Sequence, residues 1–508
     1  MNSRLILILG IASLIMCHEV KADAITYSFP PELDRSNMYQ ATVDDTSIPV
    51  LQTKLGAFIN FGMTGPVKVK LTLSKPPANV VVRPLHAGIS AEISGKECTF
   101  TLASPQNCSV EFDGDLTQPL LVFANPALAA PPDRDDPTVK YFEAGKIHEA
   151  GEIWLKDNET LYMEGGAVVH GVVRSHCATN VSIRGAGIFD CRPRKHKINM
   201  LVFRECTNAS IENIILIDSL GWSIHLSGSK DITLCNTRVL GWRANGDGLD
   251  IEYCRNVTVK SAFWRTYDDC IAIKALYPPG IKGIPLNEMI DPETLGRHKV
   301  PRIAGDVIGD ILITDSVLWN DRPGNGFEIG FELRVDTLRN ITLRNCDIIH
   351  VIRGAAFSIH NADRASIENV LLDNVRVEDT AELIDLYVGM SIYSDDCPLP
   401  YRRSNPERIA LPKKNRDSRA ADNAGQWFYP SESERPLYKD SRGRISGVVV
   451  RDMNVVSAPK APSIISGYDS EHGVSNVVFE RLTIQGKPIT SADKARLFLR
   501  HAHNVEFR

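Results

Sequence analysis

Residues 245–274 read NGDGLDIEYCRNVTVKSAFWRTYDDCIAIK. Asp247 lies between Gly246 and Gly248, and Asp268 and Asp269 follow 21 and 22 residues later. A strand-like run, Val257-Thr-Val259, separates the two acidic groups. The second group leads straight into another run, Cys270-Ile-Ala-Ile-Lys274. A chain that winds in coils of ~20–30 residues stacks such positions one above the other. Three carboxylates would then share one small patch of surface. Like charges that close displace each other's proton affinity, which suits acid–base work.

The rest of the chain supports that winding. A turn residue followed by an apolar–polar alternation recurs at Asn180, Asn208, Asp231, Asn256, Asp310, Asn340, Arg364, Ser446, Asn476 and Asn504. The steps between them are 28, 23, 25, 54, 30, 24, 82, 30 and 28 residues. The two long steps are read as coils carrying insertions, at 275–305 and 393–444. Many short strands, little helical periodicity and a period in the twenties predict a parallel β-helix over 138–508. Asn and Asp suit its turns because they tolerate left-handed backbone and hydrogen-bond locally.

Upstream, residues 25–125 carry short runs such as Gly56-Ala-Phe-Ile-Asn-Phe61 and Val67-Lys-Val-Lys-Leu-Thr-Leu73, punctuated by Pro, Gly and Asn. This pattern predicts a small N-terminal β-sandwich. The proline-rich stretch 126–137 reads as a linker. Residues 1–24 have Arg4, an apolar run over Leu5–Met16 and Ala22-Asp-Ala24, the pattern of a signal peptide. Export, to a periplasm or outside the cell, is therefore expected. That apolar run is too short to span a bilayer.

The net charge of −5 argues against general nucleic-acid binding, which needs a basic face. Cys177, Cys206, Cys235, Cys254, Cys270 and Cys346 sit in repeat strands as small hydrophobes. Cys98 and Cys108 bracket a short loop and are candidates for a disulfide, since export permits one. No metal site or cofactor is expected. Calcium favours clustered Asp, but the DxDxDG loop is absent.

Three carboxylates on adjacent coils suit glycoside hydrolysis. One gives a proton to the leaving oxygen while the others take one from water. The wording of the motif then points further. Asn245-Gly-Asp247-Gly-Leu-Asp250 followed by Asp268-Asp269-Cys270 resembles the polygalacturonases of glycoside hydrolase family 28, and Leu220-Gly-Trp-Ser-Ile-His225 is similar to the segment before it in that family. The resemblance implies an all-β, right-handed parallel β-helix and an inverting glycosidase. It assigns Asp268 as general acid, with Asp247 and Asp269 activating water.

The chain departs from the family beyond the acids. Gly324-Asn325-Gly326 stands where the family has Gly-His-Gly. Ser358 and His360 stand where its Arg-x-Lys grips a uronate carboxylate, as guanidinium and ammonium do well. This argues against plain polygalacturonan and leaves an α-linked acidic or decorated polysaccharide as the expected substrate. Arg353, Lys274 or the basic stretch 401–416 are candidates to replace the lost cations. Asn245, His225, Lys274, Asn325, Glu328, Arg353 and His360 are the expected substrate contacts. Trp427, Phe428 and Tyr429 suit stacking on sugar rings or capping the helix flank.

A second resemblance, in layout, is to the dextranases and isopullulanases of family 49, which join a β-sandwich to a β-helix and cut neutral α-glucans. A non-catalytic polysaccharide-binding β-helix and a calcium-dependent lyase are the other readings. The expected partner is a polysaccharide or oligosaccharide, with no nucleic acid and no membrane span, and the chain is expected to be a monomer.

Overall fold

A computed structural model describes residues 24–276, 278–279, 303–391, 393–397, 427–428, 430 and 433–508. Residues 1–23 of the expected signal peptide, most of both expected insertions, the basic stretch 401–416 and Tyr429 lie outside these residues.

Residues 39–125 form two five-stranded sheets face to face. One holds Tyr39–Val43, Thr46–Ile48, Val67–Leu73, Glu92–Ser94 and Glu97–Leu102. The other holds Leu51–Thr53, Gly56–Gly62, Val80–Arg83, Asn107–Phe112 and Leu120–Asn125. Val67–Leu73 alternates buried and partly exposed residues, as its sequence alternates Val and Lys. Gly56–Gly62 is buried at every position, which its apparent alternation did not suggest. Its inner residues, Ala57, Ile59 and Phe61, fill the sandwich core, while Phe58 packs outward with Leu121 and Phe123. They meet Val168, Ile215, Phe263, Trp319 and Ile349 of the next unit. Both faces of this sheet are therefore covered, which favours near-continuous apolar runs.

Cys98 and Cys108 fall in different sheets, and both thiols are free and buried. The expected bridge is not present. Of the repeat-strand cysteines, Cys206, Cys254, Cys270 and Cys346 are buried, Cys235 is half-buried and Cys177 is exposed.

From Val139 the chain winds into a parallel β-helix. One sheet stacks twelve parallel strands in chain order, from Val139–Phe142 to Ala502–Phe507. A second long sheet wraps the remaining faces. Asn180, Asn208, Asp231, Asn256, Asp310, Asn340, Asn476 and Asn504 each begin the inward alternation of a coil with a left-handed backbone, φ 51 to 59°. Their side chains form a ladder. Asn208 Nδ2 donates to Asn180 Oδ1 at 2.7 Å, and Asn340 Nδ2 to Asp310 Oδ1 at 2.7 Å. Two members differ from the sequence reading. Ile341 pairs with Val370, and Val370 with Val448. Asn369 and Gly447 therefore hold the places assigned to Arg364 and Ser446. The apolar alternation is similar on both sides of these residues, so alternation alone did not fix the register.

The two units are clamped by charge as well as by apolar packing. Arg265, on the helix and only 3% exposed, donates to the carbonyls of Leu55 and Leu116 at 2.7 Å each. It also pairs with Asp321 at 2.8 Å and lies 3.7 Å above the Trp319 ring. Among the described residues no helix is long and apolar enough to cross a membrane.

Candidate active site

One face of the helix is built from Ile224–Ser227, Leu249–Glu252, Ile271–Ala275, Phe327–Leu333, Asp347–Asn361 and Arg376–Val388, paired in that order. Alternate residues point inward and stack as a ladder: Ile224, Leu249, Ile271, Phe327, Phe357 and Ile384. Strand side chains alternate between faces. His225, Asp250, Ala272, Glu328, Ser358 and Asp385 therefore form the outward row.

The acids sit in the turns that feed these strands. Gly248 N donates to Asp269 O at 2.9 Å, Cys270 N to Asn325 O at 3.0 Å, and Gly326 N to Ala355 O at 3.0 Å. Those bonds stack the turns of Asp247, Asp269 and Asn325 on successive coils. Asp268 and Asp269 precede the strand that opens at Ile271, so the strict alternation of a strand does not bind them.

The glycines serve close approach. A Cβ on Gly248 would meet Cys270 O at 2.4 Å, and one on Gly324 would meet Asp268 C at 2.1 Å. Neither has a positive φ; the left-handed residue of the motif is Asn245, φ 57°. Gly246, the other glycine beside Asp247, has no positive φ either. Asn245 itself is exposed, and its Oδ1 accepts from Lys197 Nζ at 3.3 Å.

Asp247 and Asp269 are 3% and 6% exposed, and Asp268 is half-buried. Burial, reinforced by the charge of Asp250, pushes the Asp247 carboxyl well above the usual range. Asp250 is fully buried, and burial pushes it up to about 6 against the pull of Lys274. Lys274 Nζ lies 2.7 Å from Asp250 Oδ1 and 3.5 Å from Asp247 Oδ2. It also sits 4.3 Å above the Trp222 ring centroid. His225, on the preceding coil, meets Glu252 at 2.8 Å and packs edge-on against Trp222.

On the other side, Asn325 is buried and fully engaged. Its N–H donates to Asp269 Oδ1 at 2.5 Å, its amide NH2 donates to Glu328, and its Oδ1 accepts from Ala355 N at 2.9 Å. Glu328, fully buried, also accepts from Ser358 Oγ. His360 bridges Glu328 at 2.9 Å and Asp385 at 3.0 Å, and stacks on Phe331 with ring centroids 4.7 Å apart. Burial works against its charge, but Glu328 and Asp385 outweigh it and raise His360 to about 10. Arg353 is exposed, next to Gly354, which packs on the Gly324 carbonyl.

The sequence-derived residues thus fall into two clusters joined through Asp269. His225, Asp247 and Lys274 lie on one side; Asn325, Glu328 and His360 lie on the other. Four partners were not singled out as site residues: Trp222, Asp250, Glu252 and Asp385. Asp250 stands inside the opening motif, and the alternation of Leu249–Glu252 would have put it on the outward row.

Among the described residues no group of three or more His, Cys, Asp or Glu is arranged to hold a metal ion. A separate cleft of about 710 Å³ lies between the sandwich and the helix, lined by Asn107, Asn213, Asn236, Asn345 and Arg376 among others. None of the acids reaches it.

Residues 148–281 match the family described as glycosyl hydrolases family 28. A probable polygalacturonase of Arabidopsis thaliana is 29% identical over 119 residues, 22% of this chain and 25% of that protein. A polygalacturonase of Nicotiana tabacum is 25% identical over 171 residues, 32% of this chain and 37% of that protein. The match thus spans between a quarter and about two fifths of these relatives. Among solved structures, Dex49A from Penicillium minioluteum superposes with a TM-score of 0.62 at 14% identity, over 95% of this chain and 96% of that one. That likeness is one of fold, and it includes the N-terminal unit. Over residues 148–281 the chain is thus polygalacturonase-like, of the glycosyl hydrolase family 28 type.

Proposed function

We propose that the protein hydrolyses an α-linked polysaccharide or oligosaccharide with inversion. In this reading Asp268, the most accessible of the three acids, protonates the leaving oxygen. Asp247 and Asp269 hold the attacking water and take its proton. The observation that carries the reading is the stacking of the Asp247 and Asp268–Asp269 turns on adjacent coils, Gly248 N to Asp269 O. It brings three carboxylates to one edge, where a donor and an acceptor of protons can flank one glycosidic bond. Asn325 clamps Asp269 from the next coil and so fixes the direction in which that carboxylate faces.

The same geometry favours a sugar without a carboxylate beside Glu328. Ser358 and His360 are turned onto Glu328, and Asp385 holds the far side of His360. Ser358 and His360 are both buried and committed to the Glu328 carboxylate, so neither is presented to a uronate as a replacement for the family's two cations. This departs from the acidic substrate that the sequence suggested.

The test is reducing-sugar release from α-linked uronic polymers and from the same polymers after carboxyl reduction. Faster release from the reduced, neutral member is expected. A preference for the acidic member would overturn the neutral reading and return attention to Arg353 as a carboxylate partner.

A further inference from the structure

Lys274 has the placement of a group that acts on the acids and not on the sugar. It is 9% exposed, on the strand that follows the Asp268–Asp269 turn. Its ammonium is shared by Asp250 at 2.7 Å and Asp247 at 3.5 Å, and the Trp222 face closes over it at 4.3 Å. A cation over an aromatic face is held by the ring quadrupole. We propose that Lys274 is a positioning residue that opposes the effect of burial on Asp247, favouring its anionic form and aiming the carboxylate at the attacking water. The proposal rests on the hydrolase reading above.

The charges facing this pair come from several coils. Asp250 shares the coil of Asp247, and Asp268 and Asp269 belong to the next. Glu332, on the coil beyond, adds to the field at Lys274. His225, on the preceding coil and paired with Glu252, faces Asp250. Without Lys274, two buried carboxylates would confront each other in a site already rich in acid. One of them would then keep its proton, because burial disfavours uncompensated charge. A protonated Asp247 cannot take a proton from water.

The two flanking charges act on Asp247 with opposite sign, and this supplies the test. A base works only when ionised, so the acidic limb of the pH–rate profile follows its pKa. Removing the cation raises that pKa; removing the neighbouring anion lowers it. Lys274→Met should therefore lower kcat and move the acidic limb upward by about one pH unit or more. Lys274→Arg should leave the limb near its parental place. Asp250→Asn should move it downward. A purely structural role would not produce opposite shifts. If Lys274→Met melts well below the parent, Asp250→Asn and Lys274→Arg decide the matter by the same readout. Limbs that stay in place, or a raised KM at unchanged kcat in Lys274→Met, would overturn the proposal. Asp268→Asn run alongside separates the two ideas. Full activity in that variant sinks the hydrolase reading, whereas unmoved limbs with a dead Asp268→Asn sink the role of Lys274 alone.

Discussion

Asp268→Asn should reduce kcat by about 10²–10⁴-fold, the usual share of a positioned proton donor. Asparagine keeps the shape and polarity of the side chain and cannot give up a proton to the leaving oxygen. The turn itself should survive. It is the backbone carbonyl of Asp268, not its carboxylate, that accepts from Thr266 Oγ1 and Asn320 Nδ2, at 2.6 Å each. The Gly324 turn packs against the peptide between Asp268 and Asp269, which the substitution leaves alone. KM and the melting temperature should therefore stay close to parental values, and steady-state kinetics with a thermal melt checks both. A drop in activity matched by a drop in melting temperature would point to the turn and not to the proton.

Arg265→Met should destabilise the protein by about 3–5 kcal/mol, the range for removing one partner of a buried ion pair. The site explains the size. Arg265 is the common donor for Asp321 and for two sandwich carbonyls, Leu55 O and Leu116 O. Methionine fills part of the space over Trp319 and leaves all three acceptors without that donor. Each unsatisfied buried polar group adds its own desolvation penalty. The contact joins the N-terminal unit to the helix, so the loss should appear first as loosening between them. Denaturant unfolding gives the size, and limited proteolysis within 126–137 should accelerate. A change under about 1 kcal/mol, as for an exposed pair, would show that the apolar contact of Phe58, Phe123 and Trp319 is sufficient alone.

Much of this architecture is legible in the sequence because a β-helix repeats. The spacing of Asp247 from Asp268–Asp269 equals one coil, and turn residues such as Asn180 and Asn340 mark the winding. What local pattern could not supply was register across an insertion. Arg364 and Ser446 look as good as Asn369 and Gly447 until the strands are paired. The same limit hid the polar row. Glu328, His360 and Asp385 are 32 and 25 residues apart along the chain. Only the pairing of Glu328 with Ser358, and of Ser358 with Asp385, lines them up. Lys274 shows a further limit. Its five-residue distance from Asp269 suggests a cation in the groove, but its commitment to Asp250 depends on where the outward row of the previous coil falls. The Gly56–Gly62 strand failed for another reason. A strand buried on both faces still shows some alternation, and nothing nearby signals that a second unit will cover it.

An inverting site built on Asp247, Asp268 and Asp269, as proposed, fixes which anomer is released first. The most direct measurement is proton NMR of the first product formed from an α-linked oligosaccharide, read before mutarotation. Inversion predicts that the newly released reducing end appears first as the β-anomer, with the α-anomer growing in afterwards. An α-anomer from the start, or an unsaturated product end, would contradict the account.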